Sequence, residues 1–151
     1  MSTIKRVLCP VDFSESALKA LDMAVFMSKS FDADLIVMHV VQPVPVASVQ
    51  APSPAFDIEV YYRELVNAAE DKLDGVVDKA VPDEMKPRKI VVQGKAADEI
   101  VETGHKEDVD LIVMGTHGES GWRRFVYGSV AQKILQLAER PVLAVPVKRE
   151  E

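Results

Sequence analysis

Two stretches carry the residue types that could do chemistry. CPVDFS places a carboxylate, Asp12, directly behind an apolar run, and GTHGESGWRRFVYGS begins where another apolar run ends. In the second stretch Gly115 and Gly118 stand three apart, and Gly128 and Ser129 follow after nine more residues. Gly115 and Gly118 let the chain turn off a strand and let a ligand approach the main chain with no Cβ in the way. Gly128 and Ser129 stand where a helix starts, so free amides and the positive dipole end make an anion site there, and the Ser129 hydroxyl adds a donor. Such a loop could hold several phosphates without a lysine, with Arg123 or Arg124 supplying positive potential. His117 could touch the phosphates or stand in solvent as a loop histidine. The pattern is not a P-loop, since the Gly94-Lys95 pair precedes Ala96 rather than Ser or Thr, and it is not G-x-G-x-x-G. By mechanism alone the glycines admit either phosphate binding or ordinary turns. Asp12 likewise admits either a ligand role or a turn ahead of Ser14.

These residues need a scaffold, and the hydrophobic pattern supplies one. IKRVLCPV, DLIVMHVV, RKIVVQG and DLIVMG are nearly continuous apolar runs, and PVLAVPV closes the chain. Uninterrupted runs of this length suit strands buried on both faces, as in a parallel sheet. Helical spacing separates them. Ser14 is an N-cap with Glu15 behind it, and Leu18, Leu21 and Val25 then share a face. Ile58, Tyr61, Tyr62, Leu65, Ala69, Val76 and Ala80 stripe a longer helix. Ala97, Ile100, Val101 and Gly104 mark a third; Val130, Ile134, Leu135 and Ala138 mark a fourth, which starts near Ser129 and is stopped by Pro141. Strand and helix alternate four times before a last strand, which predicts an α/β fold: one doubly wound parallel sheet of five strands with helices on both faces. In such sheets ligands sit beyond the C-terminal strand ends, where Asp12 and the glycine loop both fall. The segment 42–56 carries four of the nine prolines and no charge up to Phe56, and admits either a connector or a lid.

Composition narrows the class. The 151 residues suit one domain, 1–151, and 18 Lys and Arg against 24 Asp and Glu leave a net charge of −6. That balance argues against a nucleic-acid partner. Five cations and two acids between Gly115 and Lys148 make one mildly basic segment, which fits a small anion better than a polyanion. The single cysteine, Cys9, excludes an internal disulfide and sits among apolar residues as a core thiol. The opening residues lack the apolar core of a signal peptide, and no run approaches the ~20 residues that span a bilayer, so no membrane association and a cytoplasmic location are expected. His39, inside an apolar run, reads as a satisfied core residue. Trp122, Phe125 and Tyr127 read as side chains that pin the glycine loop.

Taken together, VLCPVDFSESALKALDMA, LIVMHVV, DLIVMGTHG, the GSVA helix start and RPVLAVPV strongly resemble the universal stress protein family, over nearly the whole chain. The glycine series points to its nucleotide-binding branch. The resemblance implies a Rossmann-like strand order 3-2-1-4-5, which would set Asp12 beside Gly115 across one crevice. It implies that Pro10, Val11 and Asp12 line an adenosine site, with Asp12 on the ribose hydroxyls and main-chain groups of Val40 at the adenine edge. Met114 and Gly115 would pack on the sugar and first phosphate. Gly118, Gly128, Ser129 and Val130 would hold the phosphates of ATP, bridged by Mg²⁺ or Mn²⁺. The WRRFVY stretch is not fixed by the family pattern, so the resemblance assigns no role to Arg123 or Arg124. The implied function is an ATP-binding sensor or regulator in stress response, a homodimer through the C-terminal strand 141–147. The alternative is a slow ATP hydrolase or self-phosphorylating enzyme. Asp12, His117 and Arg123 do not form a recognisable catalytic set, so binding is favoured over catalysis.

Overall fold

The computed structural model describes residues 3–43, 55–117 and 128–147. Five strands alternate with four helices: β1 (Arg6–Pro10), α1 (Glu15–Phe31), β2 (Asp34–Val41), α2 (Ile58–Ala80), β3 (Arg88–Gln93), α3 (Ala96–Lys106), β4 (Leu111–Gly115), α4 (Ser129–Leu137) and β5 (Val142–Val145). The sheet is parallel throughout, in the order β3-β2-β1-β4-β5. The order that the resemblance implied is therefore the observed one. β1 lies at the centre, with Val7 opposite both Leu35 and Leu111.

α1 starts where its cap dictates. Ser14 Oγ accepts from the Ala17 amide at 3.2 Å, and Glu15 adds a negative charge at the positive helix end. It stops at Asp32, which takes a left-handed φ of 53° and returns its N–H to Lys29 and Ser28 carbonyls. Aspartate tolerates that conformation better than most residues.

The sheet divides the core in two. Val7, Cys9, Leu35, Val37, Leu111 and Val113 face α1 and α2, where Leu21, Leu73 and Val77 meet them. Leu8, Ile36, Met38, Ile112 and Met114 face α3 and α4, where Ile100 and Ile134 meet them. Each fully buried aliphatic side chain stabilises the fold by about 1.5–3 kcal/mol. The predicted helical stripes need correction at their margins. Leu18, Ile58, Val130 and Leu135 are exposed, because the residues that meet the sheet are the smaller Ala17, Ala20, Ala24 and Ala131 beside them. Burial on both faces holds for the inner strands only. β3 and β5 are the sheet's two edges, and their residues are half-buried or exposed.

Candidate functional site

β1 and β4 are neighbours whose following helices, α1 and α4, leave on opposite faces of the sheet. That divergence opens a crevice at their C-terminal ends. Three chain segments meet there.

The first is the turn after β1. The Val11 amide extends the ladder by donating to the Met38 carbonyl at 2.8 Å. Asp12 Oδ1 then accepts from the Ser14 amide at 3.0 Å and from the Ser14 hydroxyl, closing an Asx turn. The turn reading of Asp12 is thus realised in one carboxylate oxygen, while Oδ2 has no hydrogen bond among the described residues. Phe13 between them holds a left-handed φ of 67°, which costs a residue with a Cβ roughly 1–2 kcal/mol. Its ring lies 4.5 Å from the His39 ring and beneath Lys72 Nζ, also at 4.5 Å, and these contacts offset the strain.

The second segment is the end of β2. His39 Nδ1 donates to the Val11 carbonyl at 2.7 Å, so His39 is the satisfied, half-buried residue that its apolar surroundings predicted. Residues of a parallel strand offer their N–H and C=O groups alternately to the two neighbours. The Met38 carbonyl serves β1 and the Val41 carbonyl serves Gly94 beyond β3. Val40 therefore directs its N–H and C=O towards β1's side, past the point where β1 has ended at Pro10.

The third segment is the end of β4 with the start of α4. A Cβ on Gly115 would stand 2.9 Å from the carbonyl carbon and oxygen of Ser16 and closer still to its hydroxyl. The missing Cβ thus lets the first turn of α1 pack against the strand end, a role beside the expected one of letting a ligand approach. Gly128 caps α4 in an extended conformation, and its own amide donates to the Thr116 carbonyl at 2.6 Å. That amide is spent on holding the helix start against β4. The first intrahelical bond runs from the Gln132 amide to the Gly128 carbonyl. The amides of Ser129, Val130 and Ala131 thus have no main-chain partner among the described residues, at the positive end of a nine-residue helix. His117 Nδ1 lies 2.9 Å from Thr116 Oγ1, and the His117 amide donates to Ser16 Oγ at 3.4 Å.

These segments enclose a cavity of about 150 Å³. Pro10, Val11, Asp12, Val40, Met114, Gly115, His117, Gly128, Ser129 and Val130 all line it, so the structure brings together every candidate among the described residues. Gly118, Arg123, Arg124, Trp122, Phe125 and Tyr127 lie outside the described residues, as does most of 42–56. The cavity has an apolar floor that motif reasoning missed, made by Met38, Ala96, Ile100, Ala131 and Ile134. The signal for it was the small-residue face of α3 and α4, which becomes a floor only once both helices lie on one side of the sheet. No lysine or arginine lines the cavity among the described residues. Nor do these hold a group of three or more His, Cys, Asp or Glu side chains that could bind a metal ion.

The remaining perturbed groups lie away from the cavity or serve the core. Cys9 is a free, buried thiol, pushed far above its ordinary range by burial first and by Asp22 second, so it is an inert packing group. Arg88 and Glu107 pair at 2.6 Å, and the guanidinium holds the Glu107 carboxyl below its ordinary value. No described helix is long and apolar enough to cross a membrane.

Comparison with known proteins places this geometry. The model of the universal stress protein family matches residues 3–146. Universal stress protein MJ0531 of Methanocaldococcus jannaschii is 33% identical over 97% of this chain and 85% of its own length. The solved structure of MJ0577, from the same organism, is similar with a TM-score of 0.79 at 28% identity, covering 99% of this chain and all of that one. The universal stress protein from Archaeoglobus fulgidus solved in complex with dAMP shares the fold, with a TM-score of 0.57 at 20% identity over 96% of this chain and 99% of its own.

Proposed function

This chain belongs to the universal stress protein family, and we propose that it is an ATP-binding member whose occupancy reports nucleotide state to a partner in stress response. One observation carries the reading: one cavity joins the main-chain groups of Val40 and the Asp12 carboxylate to the amides that start α4, and neither these amides nor the Val40 groups have a main-chain partner among the described residues. Val40 would meet the adenine edge, Asp12 Oδ2 the ribose hydroxyls, and Ser129, Val130 and Ala131 the phosphates. Gly118 and Arg124 join this set by proposal. Mg²⁺ or Mn²⁺ would arrive with the phosphates and neutralise part of their charge. The dAMP bound to the Archaeoglobus fulgidus protein fits the same ligand class. We place the protein in the cytoplasm as a single domain.

Dimerisation through 141–147 rests on β5. The carbonyls of Pro141 and Val145 serve Ile112 and Thr116 of the β4 side, so Val142, Ala144 and position 146 face outward. Pro146 has no N–H to offer, which limits a ladder with a second copy to the donors of Val142 and Ala144.

Thermal-shift titration tests the reading. ATP with Mg²⁺ at 100 times Kd adds ~2.7 kcal/mol of stability, or roughly 5–10 °C in Tm for a chain of this size. An unchanged Tm with millimolar ATP, AMP and adenosine would overturn it, and turnover measured as phosphate release would replace the sensor with a hydrolase.

A further inference from the structure

We propose that His39 is a positioning residue of the cavity, which keeps the Val40 N–H open to a ligand by drawing aside the carbonyl that would otherwise take it. In a parallel ladder, the residue whose amide donates to the Met38 carbonyl returns its own carbonyl to the amide of residue 40. Val11 makes the first of these bonds, at 2.8 Å. The second is absent: the Val11 carbonyl instead accepts from His39 Nδ1 at 2.7 Å, and no main-chain bond joins Val40 to Val11. Val40 lines the cavity, so its N–H is available there to a ligand bearing an acceptor.

The imidazole is held for this task. It lies on the α1/α2 face with the Phe13 ring 4.5 Å away, and Lys72 Nζ sits over that same ring. With Nδ1 donating to a carbonyl, the tautomer or charge state that carries a proton on Nδ1 is required. The same side chain therefore braces the left-handed Phe13 behind Asp12 and diverts the Val11 carbonyl from Val40. The donor calls for a ligand acceptor, which on adenine would be a ring nitrogen. That part rests on the adenine reading above, whereas the diversion of the carbonyl does not.

NMR of the full-length labelled protein separates the two. Wild type should show a coupling across the hydrogen bond between His39 Nδ1 and the Val11 carbonyl carbon, and none between the Val40 nitrogen and that carbon. His39→Phe keeps the ring and removes the donor. The Val40-to-Val11 coupling should then appear and adenosine affinity should fall by roughly three- to tenfold. His39→Asn, whose amide nitrogen superposes on Nδ1, should restore the wild-type pattern and affinity. A Val40-to-Val11 coupling already present in wild type overturns the proposal, and so does a His39→Phe protein that lacks this coupling or binds adenosine as wild type does. Should His39→Phe fail to fold, the wild-type couplings decide alone. If the couplings behave as expected and wild type binds no adenosine, the positioning role stands and the nucleotide reading falls.

Discussion

Replacing Gly115 by alanine should destabilise the ligand-free protein. Ser16 belongs to the first turn of α1 and is buried. The added Cβ meets its carbonyl group at 2.9 Å, and a helical carbonyl cannot rotate aside as a side chain can. The helix start must retreat by about half an ångström to restore ordinary contact, and overpacking of this kind costs about 1–3 kcal/mol. For a chain of this size that is roughly 3–10 °C in Tm, measured by calorimetry or circular dichroism without nucleotide. Adding Ser16→Gly removes the hydroxyl and leaves the main-chain clash, so it should recover only part of the loss. A Gly115→Ala protein that melts within about 1 °C of wild type and has lost only ATP binding would refute the packing account. It would return this glycine to the role of admitting a ligand.

Ser129→Pro should leave folding intact, because proline suits the first helical position and Gly128 already has the extended conformation that precedes one; it removes an amide and a hydroxyl, so calorimetric titration should show ATP weakened on the order of tenfold and adenosine unchanged. Asp12→Asn keeps the Oδ1 acceptor for Ser14 and loses the charge, so adenosine and ATP should weaken alike, on the order of tenfold to a hundredfold; an unchanged adenosine affinity would remove Asp12 from the ribose. Ala144→Pro removes an outward donor of β5 without touching the β4 ladder, and light scattering should show monomer; a dimer that survives it uses another surface.

How much of this was legible in the sequence depended on whether a residue's role was set by its neighbours in the chain or across the sheet. The Ser14 cap and the alternation of strand and helix are local and stand where the pattern put them, whereas α4 ends at Leu137, ahead of the expected Pro141 stop, with Glu139 at a left-handed φ of 48°. The strand order came only through family likeness, since nothing in the apolar runs says that β1 is central and β3 an edge. The packing role of Gly115 was not legible because its partner, Ser16, lies about a hundred residues earlier, and a glycine looks the same whether a ligand or a helix needs the space. Asp12 left a turn and a ligand role both open from sequence; the turn is realised through Oδ1, and the ligand role stays a proposal. His39 was correctly placed as a satisfied residue, but what it satisfies, and what that leaves open on Val40, follows from register alone.

The proposed grip also sets how affinity divides along the ligand. With a net charge of −6 and Asp12 at the cavity wall, the long-range field does not draw a polyanion in. Attraction must be local, and among the described residues it comes from three amides and a helix dipole. Hydrogen bonds to charged groups contribute about 1.5–3 kcal/mol each, the dipole up to about 2 kcal/mol, and association costs about 4–15 kcal/mol. At the middle of those ranges the phosphate cradle roughly cancels the association cost and holds a ligand only weakly, so tight binding draws on the nucleoside half as well. Adenosine contacts at Asp12 and Val40 then set whether anything binds, and the α4 amides set which phosphorylation state is preferred. A protein so divided would discriminate among adenine nucleotides through one short helix terminus, and losing the Ser129 amide should narrow the preference for ATP over adenosine by about tenfold while leaving the site otherwise intact.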